Sequence, residues 1–208
     1  MPGLLMVLSD PPEGPEEPFH EWYDQHAAAR LSAPGITTAQ RYRAVVGEPR
    51  YMASYDLTAP EVLQSPEYVA LRTDRPPGEQ EMLDSLPAPP DRRVYEAREE
   101  FVNDGFSVGV STHAVAVWMS VDDPDDFTAW YAEEHVPLLF AVPSWLRCRR
   151  FELVDGPGPR FLALHDLASL DAVDDPRGAP ARETAWRERV IAYRTAYERR
   201  VYTLLKRY

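Results

Sequence analysis

The two halves of this chain repeat one another, and no other feature of the sequence constrains the fold as strongly. Trp130 lies 108 positions after Trp22, and the offset becomes 109 at the histidine that follows. The matched residues are Trp22-Tyr23, His26, Pro34 and Arg41-Tyr42 in the first half and Trp130-Tyr131, His135, Pro143 and Arg150-Phe151 in the second. Because order and spacing both recur, we interpret the chain as a tandem duplication with domains at 1–105 and 106–208. The two copies are expected to pack on each other as a covalent pseudo-dimer.

The charge and the cysteine content exclude several classes of partner and location. The 208 residues carry a formal net charge of −12, so the phosphates of nucleic acids and anionic membrane surfaces would repel the chain. The single cysteine, Cys148, has no partner for an internal disulfide, and the first ten residues lack the cationic start and long apolar run of a secretory signal. We therefore expect a cytoplasmic protein that binds neither nucleic acid nor membrane.

Both halves show the same order of predicted elements, βαββαβ. Apolar or alternating runs predict strands, and acidic residues followed by proline, as at Asp123-Pro124, predict helix starts. The predicted strands are 4–9, 36–45, 51–57, 92–101, 113–121, 146–154, 160–167 and 201–205, and the predicted helices are 19–31, 65–86 with a break at Pro76-Pro77, 127–140 and 186–197. This order predicts an α+β fold in which two tandem ferredoxin-like βαββαβ repeats pack as an intramolecular α/β barrel, with the helices outside.

The last predicted helix carries an apolar stripe. Trp186, Val190, Tyr193 and Tyr197 recur at helical spacing, with arginine and glutamate on the other face. Such a stripe is more typical of a helix that packs on the core than of a cofactor site.

The segment FTAWYAEEHVPLLFAVPSWLRCRRFELV resembles the EthD-like members of the dimeric α/β-barrel superfamily, in which a WYxxxH-type helix is followed by a proline turn and an arginine-aromatic strand. The resemblance covers both halves and is closer in the second. It implies a barrel of two ferredoxin-like units and small-molecule chemistry on polyketide or aromatic intermediates, such as decarboxylation, dehydration, cyclisation or oxidation without a cofactor. One architecture hosts many reactions, so the motif is specific for the fold and not for the reaction.

His135 is the predicted catalytic acid and base. Tyr131 lies four residues before it on one helical face, and Trp130 and Glu134 share the adjacent face. Pro137 lacks the N–H that would bond the carbonyl of residue 133, so the helix is expected to kink beside the imidazole and open toward a cavity. An imidazole there can exchange a proton near neutral pH. The alternative is a packed histidine that bonds a backbone carbonyl.

His26 is the weaker copy of this histidine. One residue is missing between Tyr23 and His26, so that its ring is expected to be rotated by about 100° relative to the second copy. We therefore predict that the first site is inactive or much weaker, and that His26 contributes to substrate binding at most.

Further candidates lie on strands. His165 occupies the strand position where the first half has Tyr55, so His165 is a candidate catalytic residue and Tyr55 a candidate substrate-binding residue, unless each is a half-buried structural side chain. Arg150 can bind a substrate carboxylate or phenolate, or form a salt bridge. Aromatic residues such as Trp22, Tyr23, Trp130 and Tyr131 are expected to line the barrel interior, where Trp22 and Trp130 contact the substrate.

The predicted function is that of a cofactor-independent enzyme of secondary metabolism. It acts on a hydrophobic aromatic or polyketide-like small molecule by histidine acid/base catalysis, as a dehydratase, decarboxylase or cyclase. A cofactor-free monooxygenase, a haem protein and a non-catalytic ligand carrier remain alternatives, and the fused barrel could form a homodimer. No HxH or HxxxH pair occurs and the one cysteine stands alone, so we expect no dedicated zinc site.

Overall fold

A computed structural model describes residues 1–107 and 109–208 of the chain. Its strands are β1 (Gly3–Ser9), β2 (Ile36–Ala44), β3 (Tyr51–Leu57), β4 (Asp91–Val102), β5 (His113–Val121), β6 (Trp145–Asp155), β7 (Phe161–Leu167) and β8 (Arg194–Arg207). Its α-helices are α1 (Glu17–Leu31), α2 (Pro66–Thr73), α3 (Pro77–Ser85), α4 (Pro124–Trp130), α5 (Val136–Leu139) and α6 (Ala185–Ala192). Short 3-10 helices span Pro60–Gln64, Leu170–Val173 and Pro176–Arg182, and a π-helical turn spans Tyr131–His135. The predicted α+β, ferredoxin-like α/β-barrel fold class is confirmed.

The chain divides into two compact units. Unit 1 comprises Met1–Ala97, Leu153–Pro157 and Leu204–Tyr208, and unit 2 comprises Arg98–Glu152 and Gly158–Thr203. Each is described separately below.

Unit 1 is an antiparallel sheet in the order β4-β1-β3-β2, the strand order of a ferredoxin-like unit. Leu5 of β1 lies opposite Tyr55 of β3, and both side chains are buried on the face that α1 covers. Phe19 and Tyr23 are the main contacts of α1 on that face. The helix begins with Glu17 and Pro18, as the predicted start requires, because a carboxylate favours the positive end of a helix and proline is tolerated in its first turn.

Unit 2 repeats this order as β8-β5-β7-β6. Val115 of β5 and Cys148 of β6 both lie opposite His165 of β7, and all three are buried. The predicted cap of the second-half helix is confirmed: Pro124 begins α4, and the side chain of Asp123 accepts a hydrogen bond from the N–H of Asp126 at 3.0 Å.

The end of the last helix differs from the prediction. Helix α6 stops at Ala192, and the chain enters β8 at Arg194, where it pairs with Val121 of β5. Tyr197 therefore lies on a strand and is 45% exposed, so the expected four-residue apolar stripe does not form. The backbone N–H and C=O groups of β5 form hydrogen bonds with β8, and a longer helix α6 would remove those partners. The tertiary pairing therefore overrides the helical periodicity of the segment.

Within the described residues, none of the helices combines the length and the apolar character that a membrane crossing requires.

Candidate active site

Unit 2 has a cavity of about 490 Å³ between its sheet and its helices, which is partly open to solvent. Strands β5 to β8 provide one wall and the helical segments the other. The apolar, aromatic and histidine side chains of the lining include Val115, Val117, Met119, Trp130, Tyr131, His135, Leu139, Trp145, His165 and Val190. The prediction that the aromatic residues line the barrel interior is wrong, because Trp130 and Tyr131 pack in the layer between this sheet and its helices. A helix buries its apolar stripe on the sheet it covers, and the aromatic residues belong to that stripe.

The histidine of this cavity, His135, is the last residue of the π-helical turn. The N–H of Val136 bonds the carbonyl of Tyr131, five residues back, between α4 and α5. The predicted irregularity beside His135 thus takes the form of a π turn. Pro137 is its physical cause, since its ring clashes with the carbonyl of residue 133 in a regular α-helix and it has no N–H to donate to that carbonyl.

His135 packs against two aromatic rings. The imidazole stacks on Trp130, with 4.2 Å between the ring centroids and an angle of 25° between the planes. The ring of Tyr131 meets it edge-on at 5.2 Å and 79°. The indole of Trp130 is itself held by a hydrogen bond from its Nε1 to Glu134 at 3.2 Å. The imidazole therefore has a fixed orientation on a flat aromatic wall.

The protonation state of His135 is set by its surroundings. Burial lowers its pKa to about 4, and the positive charges of Arg187 and Arg150 act in the same direction, while a hydrogen bond to the backbone of Ala181 opposes the shift. At neutral pH the ring is uncharged. Its Nδ1 is buried and has no hydrogen-bond partner among the described residues. A neutral ring bonded at its other nitrogen leaves Nδ1 with a lone pair that can accept a proton.

His165 lines the same cavity, but its Nδ1 has a hydrogen-bond partner. The indole Nε1 of Trp145 lies 3.0 Å from its Nδ1, and because an indole is only a donor, Nδ1 must be the acceptor and the neutral ring carries its proton on Nε2. Burial lowers its pKa to about 3, and the charges of His135 and Arg199 lower it further. His165 is therefore a neutral hydrogen-bond donor, and its Nε2 has Cys148 Sγ 4.0 Å away. The Trp145 contact leaves it poorly suited to act as a base.

Tyr131 and Arg150 have distinct positions. Tyr131 is almost fully buried, and burial raises the pKa of its hydroxyl well above the usual range, so the group stays protonated. The guanidinium of Arg150 lies over the Tyr131 ring at 4.5 Å and donates to Glu99 at 2.5 Å. Arg150 does not line the cavity, so its predicted contact with substrate does not fit this geometry. It instead forms the salt bridge that was the alternative.

Unit 1 has a smaller cavity, of about 190 Å³, lined by three predicted substrate-binding residues, Trp22, His26 and Tyr55. The carboxylate of Glu79 lies 3.3 Å from Nδ1 of His26 and 3.0 Å from the guanidinium of Arg30. The pKa of Glu79 is lowered, chiefly by its hydrogen bond with His26. Neither Nδ1 makes a hydrogen bond of normal geometry within the described residues, but that of His26 faces a carboxylate and that of His135 does not.

The expected rotation of the His26 ring is wrong. The His26 centroid lies 4.8 Å from that of Trp22 and 5.5 Å from that of Tyr23, close to the corresponding 4.2 Å and 5.2 Å around His135. Helix α1 is regular, and the π turn absorbs the additional residue of the second half. A π turn accommodates an insertion without moving the side chains that flank it, and a spacing rule for regular helices cannot foresee this.

Four arginines on the wall of the larger cavity were not singled out from the sequence: Arg182, Arg187, Arg194 and Arg199. The signal available was an arginine-rich segment at 182–200 in an otherwise acidic chain. Throughout residues 1–107 and 109–208, no three His, Cys, Asp or Glu side chains cluster as a metal ion would need. His135 Nδ1 is the cavity imidazole nitrogen that could bind the metal of a cofactor.

Comparison with known proteins supports the fold. Models of protein families and curated proteins give no match to this sequence. Among solved structures, an anthrone oxidase-like protein matches with a TM-score of 0.69 and 12% identity over 100% of this chain and 92% of that chain. The chlorite dismutase of Candidatus Nitrospira defluvii matches with a TM-score of 0.65 and 9% identity over 99% of this chain and 91% of its own. A proposed monooxygenase of Fusobacterium nucleatum matches with a TM-score of 0.64 and 9% identity over 99% of this chain and 93% of that chain.

These likenesses show that the chain shares the fold of dimeric α/β-barrel proteins. Sequence identities of 9–12% support a statement about the fold alone. Membership of the EthD-like family and the tandem origin of the halves stay predictions.

Proposed function

We propose that the protein is an enzyme in which His135 takes a proton from an aromatic or polyketide-like small molecule bound in the unit 2 cavity, without an organic cofactor. The observation that carries this proposal is the buried Nδ1 of His135, which has no partner among the described residues and belongs to a ring that is neutral at pH 7. A buried polar atom without a partner is costly in a native structure, and a reacting group of a ligand would supply the partner.

The other cavity residues have supporting roles in this proposal. Trp130 offers a flat surface beside the reacting imidazole. The protonated hydroxyl of Tyr131 and the Nε2–H of His165 are donors that can hydrogen-bond a substrate oxygen. In a dehydration, for example, His135 would accept the C–H proton and then give that proton to the hydroxyl that leaves as water, while these donors hydrogen-bond the substrate oxygen. Decarboxylation and cyclisation use the same groups.

A cofactor-free monooxygenase is the second candidate. It is favoured by the names of the fold relatives, which include an anthrone oxidase-like protein and a proposed monooxygenase. The first step would be the same proton transfer to His135, after which the substrate carbanion would react with oxygen. Measuring turnover of an anthrone with and without oxygen separates the two reactions, because a lyase needs none.

The test of the common step is His135→Gln. Glutamine keeps approximate size and hydrogen bonding but cannot accept a proton at neutral pH, so we expect kcat to fall about 10²- to 10⁴-fold while substrate still binds. His113→Gln, on β5 and outside the wall of the cavity, is the matched control. Wild-type kcat in His135→Gln would refute the proposal. Binding without any turnover by the unmodified protein would instead indicate a carrier, and visible absorbance of the purified protein would indicate haem.

A further inference from the structure

Three arginines on the wall of the unit 2 cavity have no carboxylate partner among the described residues. Across the described residues, no carboxylate lies within 4 Å of the guanidinium of Arg187, Arg194 or Arg199, although Asp and Glu total 34 against 22 Lys and Arg. Arg189, on the same helix as Arg187, shows the usual arrangement, with Asp126 2.7 Å away.

The remaining contacts of these arginines leave most of their donors open. Arg182 donates to the carbonyl of Val173 at 3.2 Å, and the guanidinium of Arg194 lies over the ring of Tyr197 at 4.2 Å. Asp174 is the acidic side chain on the cavity wall. Four guanidinium groups against one carboxylate give this wall a positive charge in a chain that is acidic as a whole.

The positive charge is close to the imidazoles. After burial, the charge of Arg187 is among the causes that lower the pKa of His135, and the charge of Arg199 is among those that lower the pKa of His165. One space therefore contains an aromatic wall, a neutral base and unpaired cations.

We propose that the unit 2 cavity binds an aromatic molecule bearing an anionic group, such as a carboxylate, phenolate or sulfonate, with that group on Arg187 and Arg199 and the aromatic part against Trp130. The proposal rests on the proposed function for the choice of cavity and adds the substrate class. A guanidinium presents a planar fork of donors that matches such an anion, and the charge-assisted hydrogen bonds formed there are stronger than neutral ones. A positive cavity in an acidic protein also draws an anion inward.

Binding of the anion would also assist the base. The negative group would offset the charge of Arg187 that opposes protonation of His135, so that the imidazole accepts a proton more readily in the complex than in the free protein. The arginines then position the substrate and tune the base together.

Two fluorescent probes test the proposal without any turnover. 8-Anilinonaphthalene-1-sulfonate and N-phenyl-1-naphthylamine share one aromatic skeleton, and the sulfonate is present in the first alone. We expect the sulfonate probe to bind with the lower Kd, and Arg187→Gln and Arg199→Gln each to raise that Kd about tenfold while the Kd of the neutral probe stays within about twofold. Arg189→Gln removes the same charge from the same helix outside the cavity and should change neither Kd.

Three results would overturn the proposal: no saturable binding of the sulfonate probe, equal effects of Arg187→Gln on both probes, or an effect of Arg189→Gln as large as that of Arg187→Gln. The outcome is independent of His135. If His135→Gln keeps full turnover but the sulfonate probe still depends on Arg187 and Arg199, the catalytic proposal fails and the anion site stands.

Discussion

The cavities of the two units contain the same aromatic and histidine side chains, yet a carboxylate lies beside one imidazole and none lies beside the other. In unit 1, Glu79 reaches both His26 and Arg30, and the cavity measures about 190 Å³. In unit 2, no described carboxylate lies within 4 Å of His135, and the cavity measures about 490 Å³. The local motif is therefore insufficient for a reactive site.

What differs is the segment that covers the helix. In unit 1, helix α3 brings the carboxylate of Glu79 to His26, whereas in unit 2 the 3-10 helix Pro176–Arg182 brings the backbone of Ala181 to His135. The carboxylate of Glu79 forms ion-pair contacts with both the imidazole of His26 and the guanidinium of Arg30. A backbone carbonyl occupies one nitrogen and leaves the other open. The comparison teaches that the covering segment decides which copy can do chemistry.

The largest expected difference between the two histidines is in catalysis. Because the carboxylate of Glu79 lies beside Nδ1 of His26 and competes with a substrate for it, His26→Gln should leave kcat within about threefold of wild type, whereas His135→Gln lowers it about 10²- to 10⁴-fold. Steady-state turnover of the same substrate by both variants provides the measurement. Equal losses in the two variants would show that both cavities work and would break the comparison.

Glu79 should be needed for stability. Arg30 is 5% exposed, so Glu79→Gln leaves a buried cation without its carboxylate, and we expect a loss of about 3 kcal/mol in the free energy of unfolding. Urea denaturation followed by tryptophan fluorescence measures it. Arg189→Gln, which removes an exposed ion pair of unit 2, should have a far smaller effect. Similar losses for the two variants would mean that the buried ion pair of Glu79 with Arg30 contributes no more than an exposed one.

Unit 2 should lose stability in acid through His135. Its pKa is about 4 when folded and 6.5 in an unfolded chain, so the unfolded state binds more protons between these values and stability falls as the pH falls. The contribution lost between pH 7 and pH 5 is about 2 kcal/mol. The unfolding free energy of His135→Gln should accordingly depend less on pH than that of wild type or of His113→Gln. Parallel pH profiles for all three proteins would contradict a buried, neutral His135.

The smallest effect is expected from removing the π turn. Deleting Ala132 together with Pro137→Ala gives the α4 segment the spacing of α1, in which a regular helix already holds a histidine beside its tryptophan. We expect the imidazole to stay on Trp130 and the unfolding free energy to change by about 1 kcal/mol or less. A crystal structure and urea denaturation of this variant provide the check. A displaced imidazole would show that the π turn itself positions the base.

The secondary structure and the motif residues could be predicted from local patterns. The apolar run in HAVAVWMSV, the Asp123-Pro124 helix start and the apolar segments of β1 and β3 all match the structure, because a strand or a helix cap depends on neighbours in sequence. The last helix was predicted to run to residue 197 and stops at Ala192, because pairing with β5 is not visible in the periodicity of the segment. Arg150 was a candidate substrate-binding residue, but its guanidinium donates a hydrogen bond to Glu99.

The sequence by itself determined which chemical groups unit 2 offers, an aromatic pair with a histidine near a helix-breaking proline, and the α+β order of elements that carries them. Only the tertiary structure shows that no described carboxylate lies beside His135, that Glu79 lies 3.3 Å from the matching nitrogen of His26, and that arginines from α6 and β8 line one cavity. The physical reason is that the state of a buried ring depends on which groups reach it across space. Those groups come from segments far along the chain, so local spacing does not encode the contact.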